Sequence, residues 1–196
     1  MATRPTAANP VTSWRRSSAQ ALYNCSCRDA VSGLLLLIAL MLPGDPPAAA
    51  SIAASHVRGA TASMQLLIAD AMRRSAIVRE LVARLSCSDS IVYVEITASP
   101  EIPTARTKLV ASAGATRFLR IGINARVAHD DVPAYLAHEL QHAVEIAEHD
   151  DVRDEPAVRR LYLEIGRSTG VDSFETEAAK DVEMAVRQEL RHKIGG

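Results

Sequence analysis

The sequence predicts an α+β domain in which a small antiparallel sheet packs on helices. Three observations predict it. "IVYVEIT" (91–97) is β-branched and aromatic, and "TRFLRIGIN" (116–124) alternates apolar with polar residues, so both read as strands. The segment before them repeats apolar residues at intervals of three and four. The chain after residue 130 does the same in three blocks, and helix, two strands, then three helices is an α+β order.

Taken in order, residues 1 to 50 stand apart. Arg4, Arg15, Arg16 and Arg28 are set against Asp29, ahead of the apolar run "VSGLLLLIALML" (31–42) and of Ala48, Ala49 and Ala50. A basic region, a short apolar run and a small-residue site are the layout of a secretory signal peptide. The run is too short to span a bilayer comfortably. The expectation is a 1–50 export segment and a 51–196 domain, delivered to the periplasm or beyond and without stable membrane association after cleavage. An uncleaved membrane anchor is the competing reading. Only Cys87 survives cleavage, and an isolated thiol of that kind reads as a small buried hydrophobe.

"TASMQLLIADAMRRSAIVRELVARL" (61–85) predicts one long helix, or two broken near Ser75. Pro100 and Pro103 mark a loop between the strands. Asp130 or Asp131 then caps a helix with Pro133 in its first turn, running to about His149. A short helix over 151–166 ends at Gly166, and a last one covers 172–194. An apolar share of 48% with 4% aromatics fits a folded, helix-rich core rather than a disordered chain. A formal net charge of −1 argues against a large phosphate-binding surface, so nucleic acid is not the expected partner.

Chemistry concentrates in His138-Glu139-Leu140-Gln141-His142. Helical positions four apart share a face, so both imidazoles reach one ion. Neutral imidazole is a favoured Zn²⁺ ligand, and two of them leave room for one more protein ligand and a water. Glu139, one step round, is placed to accept that water's proton. His138, His142, Glu145 and His149 form one stripe, while Leu136, Leu140, Ala143, Val144 and Ala147 form the opposite one.

This stretch resembles the active-site helix of zincin metallopeptidases, whose pattern is HExxH. "AHELQHAVEIAE" with the later "SFET" is similar to small, exported, uncharacterised bacterial proteins of zincin type, over roughly 61–190. The resemblance implies His138 and His142 as zinc ligands, Glu139 as general base, and a peptide or protein substrate laid along an edge strand. "TRFLRIGIN" is the candidate for that strand. Tyr162, Tyr135 and His149 stay open as donors to the oxyanion.

Metzincins continue the motif with a glycine and a third histidine, where this chain has Glu145 and Glu148. Gluzincins take a glutamate from a later helix, which points to Glu175 or Glu177. Drawn as a helix, 172–194 puts Glu175 among Ala178, Ala179, Val182, Val186 and Leu190, with Glu177 on the wet side. A carboxylate on an apolar stripe is costly to bury unless it is paired or binds a metal, so Glu175 is the expected third ligand. Glu145 and Glu177 are the alternatives, and a capping box with Asp172 is the other use for Glu175. Two readings compete with a zinc peptidase. One is a di-iron carboxylate bundle built on Glu139-x-x-His142 and Glu189-x-x-His192. The other is a zincin fold that binds metal or a partner without hydrolysis.

Overall fold

The computed structural model describes residues 56–102, 104–170 and 173–194. The predicted export segment lies outside them. The observed order is β1 (Val57–Gly59), α1 (Ala62–Arg74), α2 (Ala76–Ser86), β2 (Ser90–Thr97), β3 (Ala105–Ala113) and β4 (Thr116–Asn124). One 3₁₀ turn (His129–Asp131) then leads into α3 (Val132–Ala147), α4 (Glu155–Ile165), the hairpin β5 (Arg167–Gly170) and β6 (Ser173–Glu175), and α5 (Glu177–Ile194). The chain is α+β among the described residues. No helix among them is long and apolar enough to cross a membrane.

The sheet is mixed, not antiparallel as expected. Its strand order is β1-β2-β4-β3, with β1–β2 and β2–β4 parallel and only β3–β4 antiparallel. The physical reason is β3, a strand that the sequence pattern hides. "ARTKLVASA" buries only Leu109, so it has no regular apolar alternation. After β2 the chain crosses two strand positions outward, returns along β3, and turns at Gly114 and Ala115. β4 then slots between the two. Gly114 adopts φ +58°, which suits a two-residue hairpin connection and is a conformation other residues rarely hold. "TRFLRIGIN" is therefore an interior strand, and β3 is the edge.

α1, α2 and α3 pack against the sheet, and α5 packs on α3. Val92, Val94, Leu119, Ile121 and Ile123 point into that layer and are fully buried, as are Ile68, Leu81, Leu85, Leu136 and Leu140 from the helices. The alternation places Tyr93 on the opposite, solvent-facing side. The 61–85 periodicity resolves into two helices. Ser75 leaves helical dihedrals, its hydroxyl accepts the Val78 N–H at 3.1 Å, and it donates to Glu189 Oε2 at 2.5 Å. Cys87 is disulfide-bonded, where the sequence suggested an isolated thiol.

Gly59 is required by close approach. A Cβ there would sit 2.4 Å from Gln65 N, because α1 starts directly against β1 and Gln65 Oε1 accepts the Gly59 N–H at 2.8 Å. Gly59→Ala is expected to destabilise the fold by about 1–3 kcal/mol, as other overpacking substitutions do, measured by urea unfolding. An unchanged midpoint would show that α1 has room to shift.

Arg117 on β4 fixes the helix that carries the histidines. The side chain is fully buried and ion-paired to Asp89, with its Nε donating at 2.9 Å. The rest of the guanidinium donates to the Ile146, Ala147 and His149 carbonyls at 2.7–2.8 Å. The last carbonyls of a helix have no intrahelical partner, and a cation there also opposes the negative end of the helix dipole. At the other end, Asp131 occupies the cap position without bonding a backbone N–H. Its carboxylate pairs instead with Arg187 of α5.

Candidate metal centre

α3 lies between β3 and α5 and is buried from Val132 to Ile146 with the sole exception of Tyr135. The stripe opposite its apolar face is thus inside the protein as well, and polar groups there need partners. His138 and His142 stand one turn apart with ring centroids 4.9 Å apart, edge to face. Glu175 enters from the end of β6, and its Oε1 lies 3.3 Å from His138 Nε2 and 4.0 Å from His142 Nε2. That oxygen is buried and accepts no hydrogen bond from the described residues. Donor atoms around one tetrahedral Zn²⁺ sit about 3.3 Å apart, given metal–ligand distances of about 2.0–2.2 Å. The first distance matches this, and the second needs a shift of under an ångström. Among the described residues, His138, His142 and Glu175 form the one group of His, Cys, Asp or Glu donors close enough to hold a metal ion.

Both imidazoles are backed by carboxylates. His142 Nδ1 donates to Glu145 Oε2 at 2.8 Å. A carboxylate only accepts, so this contact puts a proton on Nδ1 and leaves Nε2 as the nitrogen facing Glu175, 4.0 Å away. Burial alone would depress the His142 pKa. The bond to Glu145, then the charges of Glu139, Glu145 and Glu175, outweigh it and hold the pKa above the ordinary value. On the other ring, Glu183 Oε2 is 3.0 Å from His138 Nδ1, an ion-pair distance without hydrogen-bond geometry. Glu183 also accepts from Arg187 at 3.0 and 3.1 Å, and Arg187 lies over the Tyr135 ring at 5.0 Å.

Glu145 and Glu177 do not compete with Glu175. Glu145 Oε1 accepts the Thr176 hydroxyl at 2.7 Å while Oε2 accepts from His142, so both oxygens of its carboxylate are already engaged. Glu177 is exposed and 3.4 Å from Lys180. The helical drawing that favoured Glu175 assumed the wrong local structure. α5 starts at Glu177, Thr176 is its cap and accepts the Ala179 N–H at 3.1 Å, and Glu175 is in a strand. Asp172, the proposed capping partner, lies outside the described residues. The di-iron spacing also fails, since Glu189 is bonded to Ser75 and His192 is exposed.

Glu139 lies 5% exposed at the foot of a cleft of about 870 Å³. One wall is the N-terminal half of β3, the other is α4 with the β5–β6 hairpin, and His138, His142 and Glu175 are between them. Thr107 of β3 donates to Glu139 Oε2 at 2.7 Å. Of the three oxyanion candidates, Tyr162 is committed elsewhere. Its hydroxyl donates to the His142 carbonyl at 3.1 Å, and burial, then the charges of Glu145 and Glu139, raise its pKa well above the usual phenol value. His149 Nδ1 contacts the Glu145 carbonyl at 2.8 Å, and Tyr135 lines the cleft.

Thr107, Thr176 and Glu183 were not singled out from the sequence. Only the Glu183–Arg187 spacing of four was a readable signal, and it indicates a surface ion pair as readily as a buried one. No protein-family model matches the chain, and neither a characterised protein nor a solved structure was found similar to it.

Proposed function

We propose that the protein is a zinc-dependent metallopeptidase that hydrolyses peptide bonds in an exported compartment. The observation that carries this reading is the buried, unbonded Glu175 Oε1 facing two imidazole nitrogens at the foot of an open cleft. A buried carboxylate oxygen without a partner is costly, and a divalent cation answers the cost. His138, His142 and Glu175 would hold the ion, which supplies Lewis acidity toward a water and a carbonyl oxygen. Glu139 takes one proton from the attacking water as the C–O bond forms. It returns that proton to the departing amine as the C–N bond breaks, leaving a carboxyl group and an amine.

The edge of β3 gives an extended peptide a row of backbone groups to pair with, as the zincin resemblance leads one to expect. The basic stretch, apolar run and alanine site at residues 1–50 support export. A metal-binding but non-hydrolytic protein is the second reading, favoured by the commitment of Tyr162 to a helix carbonyl.

One experiment separates the two. Zinc content is measured by elemental analysis, and cleavage of a quenched-peptide library is compared for wild type and Glu139→Gln. The expected result is zinc in both proteins and a cleavage rate about 10²–10⁴-fold lower in the variant. Undiminished cleavage in Glu139→Gln removes the assigned base, and zinc without cleavage in the wild type selects the second reading.

A further inference from the structure

The base has a partner on the strand that would carry substrate. Thr107 Oγ1 lies 2.7 Å from Glu139 Oε2 and 2.9 Å from the Glu139 backbone carbonyl. The hydroxyl has one proton, and of two acceptors the charged oxygen is the stronger, so the proton goes to the carboxylate. No other hydrogen bond among the described residues engages that carboxylate. A β-branched side chain on a strand has few χ1 choices, which suits a bracket whose position must not wander.

The placement of Thr107 on β3 adds a second observation. The far end of this strand is pinned by Ser112, whose hydroxyl donates to the Arg153 carbonyl at 2.6 Å. The near end, Ala105 to Leu109, has β4 on one side and the cleft on the other. Thr107 is at the middle of that open stretch, with its side chain turned to α3. A movement of β3 therefore reaches the Glu139 carboxylate through one hydrogen bond.

We infer that Thr107 is a positioning residue for Glu139: it holds Oε2 still, leaves Oε1 to receive the proton, and ties the base to the strand that a peptide would occupy. The inference rests on the peptidase reading above. It makes the orientation of the base, and not the affinity for substrate or zinc, the quantity that Thr107 controls.

The test uses Thr107→Val, which keeps the shape and removes the hydroxyl, and Thr107→Ser, which keeps the hydroxyl. For the zinc-loaded protein, Thr107→Val is expected to lower kcat roughly 10–100-fold, the cost of a misplaced catalytic group. KM and zinc content should stay near wild type, and Thr107→Ser should recover most of the lost kcat. An activity-free arm compares the Tm of metal-free Thr107→Val, Glu139→Leu and the double variant, each single change removing one side of the bond. Bonded partners give non-additive losses, with the double variant losing less than the singles combined.

Additive Tm losses, an unchanged kcat in Thr107→Val, or an equal kcat loss in both Thr107 variants overturns the inference while leaving the peptidase reading standing. A wild-type protein that binds zinc and cleaves no peptide overturns the reading itself, and the inference with it.

Discussion

Replacing Glu175 with glutamine is expected to weaken Zn²⁺ binding more than any change to a residue outside the triad, whereas Glu177→Gln is expected to bind as wild type does. The contrast follows from position. Glu175 Oε1 is buried beside two imidazole nitrogens, and Glu177 is in solvent near Lys180. Loss of a residue that only orients a ligand costs roughly 10–100-fold in metal affinity, so loss of a ligand should exceed that range. Glu145→Gln and Glu183→Gln should fall within it, because each acts through the Nδ1 side of one histidine. Competition against a chromophoric chelator measures all four. Equal affinities for Glu175→Gln and Glu177→Gln would sink the assignment of the third ligand.

The second large effect is on stability. Arg117→Met is expected to cost about 3–5 kcal/mol, the range for breaking a buried ion pair by removing one partner. In a domain of this size that lowers Tm by roughly 10–15 °C. Arg153 still reaches Asp89 Oδ2 at 3.0 Å, so the acid retains a partner. The loss comes mainly from the Ile146, Ala147 and His149 carbonyls, to which Arg117 donates. Arg117→Lys should restore little, because one ammonium cannot serve carbonyls spread around a helix end and a carboxylate together. Urea unfolding of the three proteins reads this directly, and a loss below about 1 kcal/mol would show that the helix end holds itself.

What was legible in the sequence divides from what was not along physical lines. α3 was legible because it carries both a 3.6-residue period and a five-residue spacing that only a helix brings together. The break at Ser75 was legible because serine is a cap residue between two amphipathic runs. β3 was hidden because an edge strand exposes most of its side chains and so lacks a period. The antiparallel expectation failed for the same reason: without β3, β2 and β4 look like consecutive neighbours, and their parallel pairing cannot be guessed. Glu175 was selected by an argument about helical phase that does not apply, because the residue ends a strand. Glu183 and Thr107 lie 45 and 32 residues from the side chains they serve, His138 and Glu139, and no local pattern encodes contacts at that range.

Residues 175, 176 and 177 divide three roles among them. Glu175 reaches the two imidazoles, Thr176 braces Glu145 while starting a helix, and Glu177 faces water. Insertion or deletion of one residue just before Phe174 would shift the whole trio by one place. A phenylalanine or a threonine would then stand at the position facing the two imidazoles, and the brace on Glu145 would be lost in the same event. The centre is therefore far more exposed to a change in chain length at this junction than to most changes of side chain around it.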